Sequence, residues 1–264
     1  MERVHETSPQ VFLVARTSVD LDGMRAYLES VGGGSWLEMR NGAQESLKDG
    51  ELLAEFGGRM CYRSWEPGLN PNVTRIRTDQ AEYFANVLQS AHGSVLEHAN
   101  YSFAFRNVSR TFTHELVRHR AGSAFSQESL RYVRLTDIGF RVPPALEPLR
   151  DQVISIVEQL EEFQLSAAEQ LDLDKGEMPF ALKKEITSAL RRLAPIGLST
   201  DILWTANART LRHVIEMRTA HGAEEELRLV FNMVAETMKV EAPSLFQDFS
   251  RSDDGSWVPE WRKV

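Results

Sequence analysis

Residues 101–132 read YSFAFRNVSRTFTHELVRHRAGSAFSQESLRY, and they set a strand, a helix and a polar connection in direct succession. Tyr101, Phe103 and Phe105 alternate with Ser102, Ala104 and Arg106. A period of two with the apolar residues on one side is that of a strand buried on one face. Ser109 follows. Its hydroxyl suits the free N–H groups of a first helical turn, so a helix is expected over 110–119. Residues 121–130 are small and polar and read as a loop, and 131–135 return to an extended pattern.

The rest of the chain keeps this alternation of helices and few strands. Upstream, 11–19 reads as a strand. Residues 21–31 read as a helix stopped by Gly32-Gly33-Gly34, and 45–56 and 79–91 as further helices. Residues 65–75, with Pro67, Asn70 and Pro71, read as a loop. The glycine triplet lacks the G-x-G-x-x-G spacing after a strand, so it is a loop and not a phosphate cradle. Downstream, Pro143-Pro144 opens a helical pair over 146–172 and 178–193, broken by Pro195 and Gly197. A short strand over 202–205 follows, then a helix over 208–219 capped by Asn207, then a last helix over 223–240. There is no repeat, low-complexity tract or linker. The expected architecture is a single α/β (α+β) domain over 1–264, with long helices around a small sheet and apolar helical faces left for a partner subunit.

Composition narrows the function classes. Of 264 residues, 42% are hydrophobic and 26% charged, enough apolar material for a core. No apolar run approaches the roughly 18 residues that span a bilayer. The first ten residues are polar and carry no secretory pattern, so a cytoplasmic protein without a membrane partner is expected. The net charge of −8 weighs against a nucleic-acid partner. Yet 24 of the 30 basic residues are arginine, and residues 106–134 hold six of them (106, 110, 118, 120, 131 and 134) against two acids, Glu115 and Glu128. The planar guanidinium fork suits phosphate and carboxylate.

The lone cysteine, Cys61, leaves no intrachain disulfide and no Cys-based zinc cluster. Its arginine neighbours would favour a thiolate, but a single cysteine reads first as a small buried hydrophobe. His114-Glu115 begins like H-E-x-x-H, but Arg118 holds the fifth position. On a helix His119 would stand about 140° away from His114, so no metal site is expected.

Two groups carry candidate chemistry. In the first, Arg118, His119 and Arg120 stand at one lip and Arg131 at the other, with Ser123, Ser126, Gln127 and Ser129 between them. Gly122 and Ala124 permit close backbone approach, and the whole reads as an anion pocket. In the second, Arg191 precedes Pro195 by four residues, Asn207 and Arg209 follow a strand, and Arg209, His213 and Arg218 step along one side of a helix. Taken alone, that helix side reads equally well as a solvated face.

Together the two groups resemble the flavin-dependent thymidylate synthases. The family signature is R-H-R, seven residues, then S, with R-Y close behind. Here Arg118-His119-Arg120 precedes Ser129 and Arg131-Tyr132. Cys61-Tyr62-Arg63-Ser64-Trp65, Ser94-Val95-Leu96-Glu97-His98, Thr113-His114-Glu115-Leu116, Thr205-Ala206-Asn207-Ala208-Arg209 and Met217-Arg218-Thr219 support it, and the likeness covers roughly residues 50–250. The resemblance implies an α/β homotetramer that binds FAD, with active sites at subunit interfaces. It implies reductive methylation of a uridine nucleotide at C5 (dUMP to dTMP). Methylenetetrahydrofolate gives the carbon and NADPH reduces the flavin.

By position, His98, Arg118, His119, Arg120, Asn207, Arg209 and His213 match flavin contacts. Glu115, Gln127, Ser129, Arg131 and Arg191 match nucleotide contacts. Arg218 matches the catalytic residue that binds and polarises the uracil ring. This route needs no cysteine nucleophile, which accords with Cys61 lying outside any such motif.

Three positions depart from the family pattern. Eight residues separate Arg120 from Ser129, Ala194 stands where relatives carry leucine, and His221 lies one position early. They leave open a UMP C5-methylase of a nucleoside-antibiotic pathway within the same family. Outside it, a nucleotide- or RNA-binding module would use the same arginines.

Overall fold

The computed structural model describes residues 5–42, 48–132, 139–173, 176 and 178–264. In chain order the elements are β1 (His5–Glu6), β2 (Gln10–Arg16), α1 (Leu21–Ser30), α2 (Gly34–Gly42), α3 (Asp49–Tyr62), α4 (Gln80–Gln89), β3 (Asn100–Ser109), α5 (Arg110–Leu116) and β4 (Ser123–Gln127). They continue with β5 (Gly139–Phe140), α6 (Arg150–Gln170), α7 (Phe180–Leu190), β6 (Ser199–Asn207), α8 (Ala208–Thr219), α9 (Glu225–Glu241), β7 (Phe249–Arg251) and β8 (Trp257–Pro259). The class is the expected mixture of helices with a small sheet. Its four principal strands lie in the order β2-β3-β6-β4.

The chain divides into two compact units. The first holds Met1–Phe12, Ala104–His119 and Phe125–Trp204, the second Leu13–Phe103, Arg120–Ala124 and Thr205–Val264, so each principal strand passes from one unit into the other. In the first unit Phe105 of β3 meets Phe112 of α5 edge-on at 5.4 Å and stacks near Trp204 of β6 at 6.1 Å. A smaller cluster joins Phe140, Val142, Val157 of α6 and Leu198. Helix α6 buries Val157, Glu161, Gln164 and Ala168, the three- and four-residue steps of one helical face.

The second unit buries Met24, Leu28, Trp36, Leu37, Leu52 and Trp65 around α1, α2 and α3. Helices α8 and α9 pack through Leu211, Val214 and Ile215 on one, and Leu227, Val230, Phe231, Val234 and Met238 on the other. The β7–β8 hairpin is fastened beneath them. The Trp257 N–H donates to the Thr219 hydroxyl (2.9 Å), and the Trp257 indole N–H to the Asn232 amide oxygen (3.0 Å).

Several expectations change. Residues 123–127 form strand β4, not a loop. As the edge neighbour of β6, β4 is held by backbone pairing, which small polar side chains do not prevent. The flanking bonds Asn207 N–H to Gly122 O (3.2 Å) and Glu128 N–H to Asp201 O (3.0 Å) extend that pairing. The glycine triplet does not leave a loop behind it, because Gly34 opens α2, which buries Trp36 and Leu37. Helix α5 ends at Leu116, so His119 lies beyond it and the angular argument about His114 and His119 does not apply.

Helix α3 runs six residues past the expected end at 56, while 45–47 lie outside the described residues. Strand β6 spans nine residues rather than four. Residues 131 and 132 form a turn, and 133–135, with Arg134, lie outside the described residues. Cys61 is exposed, not buried, with its thiol against the Gly57 carbonyl at 3.4 Å. The β7–β8 hairpin carries too short an alternation to be read from sequence.

Candidate functional site

In the first unit, local hydrogen bonds bring three segments to one cavity. Ser109 caps α5 by accepting from the Phe112 N–H (3.0 Å), as its residue type predicts. The next two amides leave the helix: Arg110 N–H donates to Leu198 O and Thr111 N–H to Ile196 O, both at 3.1 Å. These bonds hold the turn 191–198 against the start of α5. On the other side, the Gln127 amide donates to the Thr113 hydroxyl (3.0 Å) and Arg110 Nη2 to the Glu128 carbonyl (3.1 Å).

The result is a cavity of about 480 Å³ lined by Arg110, His114, Gln127, Glu128, Ser129, Leu130, Arg191, Arg192, Ala194, Pro195 and Ile196. Three guanidinium groups face one carboxylate there. Burial lowers the pKa of Arg110; Glu128 opposes that shift and Arg191 adds to it. Such a lining suits a multiply charged anion with hydrogen-bond acceptors.

Of the expected nucleotide contacts, Gln127, Ser129 and Arg191 meet in this cavity. Glu115, half-buried on α5, and Arg131, exposed in the turn after Ser129, lie outside its lining. The Ser129 hydroxyl accepts from the Arg131 N–H at 3.3 Å. Arg110, His114 and Arg192 were not among the expected contacts. Their signal was present, since Arg110 belongs to the local arginine excess, His114 to a quoted motif, and Arg192 adjoins Arg191.

In the second unit, another group forms where α8 begins. Asn207 caps α8, its side-chain oxygen accepting from the Thr210 N–H (2.8 Å). Gly122 lies against this cap with φ +65°, and a Cβ there would sit 2.3 Å from Asn207 Nδ2. The Thr210 hydroxyl donates to Ala121 O (2.8 Å), so the chain just after Arg120 is pinned to α8. Arg209 pairs with Glu97 at 2.6 Å, next to His98, and a Cβ at Gly57 would press to 2.9 Å from the His98 ring.

His98, Arg120, Arg209 and His213 are exposed, and Asn207 is 8% exposed and engaged as a cap. Arg218 is half-buried in the last turn of α8. His213 also lines a cavity of about 880 Å³ with Glu216, Met217, His221 and residues of the β7–β8 hairpin. Arg118 (exposed) and His119 (half-buried) belong to the first unit. The exposed cations and ring N–H groups of the second unit fit a cofactor with an anionic diphosphate and a carbonyl-bearing ring.

Comparison with known proteins places these residues in context. The model of a family described as "Thymidylate synthase complementing protein" matches residues 44–244. A flavin-dependent thymidylate synthase of Mycobacterium marinum is 35% identical over 216 residues, 79% of this chain and 84% of that protein. The enzymes of the same name from Mycobacteroides abscessus and Mycobacterium tuberculosis are also 35% identical, each over 76% of this chain and 80% of theirs. Among solved structures, thymidylate synthase X from Helicobacter pylori, solved with FAD and dUMP, superposes with a TM-score of 0.57 at 18% identity. It covers 91% of this chain and 98% of that one.

Proposed function

Because this chain belongs to the flavin-dependent thymidylate synthase family, we propose that it methylates dUMP at C5 to give dTMP, with FAD as its cofactor. The observation that carries the reading is the cavity where Arg110, Arg191 and Arg192 converge with Gln127 and Ser129, beside the Arg118-His119-Arg120 signature in sequence. Its charge and donors suit the phosphate of a nucleotide, and relatives named as thymidylate synthases support dUMP over UMP as the substrate.

The residues divide by task. Gln127, Ser129, Arg131, Arg191 and Glu115 bind the nucleotide, with Arg131 and Ser129 toward the phosphate. His98, Arg118, His119, Arg120, Asn207, Arg209 and His213 hold the flavin, through charge and N–H donors at its diphosphate and ring. Bound FAD supplies the hydride that completes the methyl group. Arg218 donates to a uracil carbonyl and stabilises the negative charge that builds as C5 becomes nucleophilic, so no protein nucleophile is required.

Methylenetetrahydrofolate supplies the carbon and NADPH the reducing equivalents. The chain works in the cytoplasm as one catalytic domain of a homotetramer; no described helix is long and apolar enough to cross a membrane. Ile156, Phe163, Phe180 and Leu182, exposed on α6 and α7, support burial against a partner subunit.

The test is direct. The purified protein is expected to be yellow with a flavin absorbance spectrum. Arg218→Ala should lower methylation by about a hundred- to a thousandfold while the flavin spectrum and the thermal transition stay as they are. A colourless protein, or an Arg218→Ala variant that turns over normally, would overturn the proposal.

A further inference from the structure

We infer that residues 260–264 form a strap that confines Arg209 and walls the His213 side of the flavin site, and so sets how long the cofactor stays bound. This rests on the proposed flavin reading of Arg209 and His213.

After the β7–β8 hairpin the chain returns to α8. Arg212 of α8 is buried and pairs at 2.6 Å with Asp248, whose side chain is fully enclosed. That pair also anchors the strap. The Glu260 N–H donates to Asp248 O (3.1 Å), the Trp261 N–H to the Asp248 carboxylate (3.3 Å), and Arg212 Nη2 to Trp261 O (3.4 Å). Beyond the anchor, Arg262 Nε meets Glu216 at 3.0 Å. Val264 lies against Gly93: a Cβ on Gly93 would stand 2.4 Å from the Val264 carbonyl carbon and 3.0 Å from Arg209 Nε. The Gly93 backbone is not left-handed, so no turn demands a glycine there. What demands it is room for the strap and Arg209 side by side.

Arg209 is thus held from two directions. Glu97 takes its Nη1 (2.6 Å), while Gly93 and Val264 confine its Nε end. The strap touches α8 on both sides of the exposed His213, at Arg209 and Arg212 toward the start of the helix and at Glu216 toward its end. Arg262 and His213 line the same cavity. An exposed ion pair such as Arg262–Glu216 adds little alone. Here it acts together with the anchor, because three residues beyond Trp261 reach at most about 10 Å. An arginine already confined to one conformation loses less entropy when a ligand binds. Releasing that ligand then requires Arg209 to swing away, which the strap opposes.

The experiment follows flavin release from the loaded protein by recovery of flavin fluorescence, and hydrogen exchange of the 260–264 amides in the apoprotein. Gly93→Ala leaves no room for the strap and is expected to release flavin at least tenfold faster. Arg262→Glu sets a carboxylate against Glu216 and is expected to release it at least threefold faster. Both should exchange the Trp261 and Lys263 amides faster, with the thermal transition of the apoprotein as in the wild type. Lys263 is exposed and makes no ion pair among the described residues, so Lys263→Glu repeats the change of charge alone and should stay within 1.5-fold of the wild type. Gly93→Ala also presses on Arg209, so Arg262→Glu decides if the two disagree or if Gly93→Ala does not fold. Unchanged flavin release from Arg262→Glu would detach the strap from the cofactor. Equal effects of Arg262→Glu and Lys263→Glu would reduce the effect to charge, and unchanged exchange in Arg262→Glu would show that Glu216 does not hold the strap. Each of these three results overturns the inference. A wild type that takes up no flavin fails the functional reading first and the inference with it; a wild type that loads flavin leaves any failure to the strap alone.

Discussion

The arginines of α2 and α3 and those of the nucleotide cavity are the same side chain put to opposite uses. In the second unit, Glu55 is fully buried and accepts from Arg40, from Arg59 Nε (2.7 Å), from the Trp36 indole (3.4 Å) and from Gln80 (3.2 Å). Arg59 spends its remaining donors on the carbonyls of Ser64 (2.8 Å) and Arg77 (2.6 Å) and lies 4.7 Å over the Tyr83 ring. Both guanidinium groups meet a buried carboxylate here, although the Arg40 Nε–H finds no acceptor. In the first unit, Arg110 has one carbonyl, and Arg191 and Arg192 have no ion pair among the described residues. The difference separates arginines that hold the fold from arginines left available to an anion, Arg191 and Arg192 being exposed and Arg110 half-buried. Composition cannot make that distinction, because it depends on which arginine finds a carboxylate in three dimensions.

The largest effect should come from breaking the Glu55 network. Glu55→Ala leaves two buried guanidinium groups without a counter-charge and should destabilise the protein by about 3–5 kcal/mol, read from urea unfolding. A loss under about 1 kcal/mol would show that the network is not what pairs those arginines.

Glu51 sharpens the comparison from the acidic side. It is a buried carboxyl met by the Ser244 N–H (2.6 Å), the Leu245 N–H (3.3 Å) and the Ser244 hydroxyl, with no ion pair among the described residues and Lys48 as the cation acting on it. Burial pushes its pKa up to about 7, against the lowering effect of those hydrogen bonds. The folded state therefore holds this proton more tightly than the unfolded chain does. The stability it contributes is full below about pH 4.5 and is lost as pH rises to about 7, a change of about 3 kcal/mol. Glu51→Gln should flatten the stability profile between those values; an unchanged slope would mean that Glu51 titrates normally.

The smallest effect tests the cavity. Arg191→Ala should weaken dUMP binding by about 1.5–3 kcal/mol while shifting unfolding by less than about 0.5 kcal/mol. Loss of stability in place of affinity would move Arg191 into the structural class.

Much of this was legible in the sequence where one local rule decides. The alternation at Tyr101, Phe103 and Phe105 marked β3, and Ser109 and Asn207 each cap a helix as their residue types predict. The cavity was half legible. Gln127, Ser129 and Arg191 were named as nucleotide contacts, while Arg110 and Arg192 were passed over because their role depends on the turn 191–198 being fastened to the start of α5. Strand β4 was missed because backbone pairing to β6, not side-chain pattern, makes it a strand. Cys61 was misread because its burial depends on what packs over the end of α3, and its neighbours in sequence do not decide that.

The central claim is that the unpaired arginines serve a nucleotide that this chain methylates. The most direct measurement supplies the flavin-loaded protein with NADPH and methylenetetrahydrofolate labelled at the transferred carbon, and lets dUMP and UMP compete. Label is expected in the 5-methyl group of dTMP, with dUMP preferred at least tenfold. No label in either nucleotide, or UMP preferred tenfold, would contradict it.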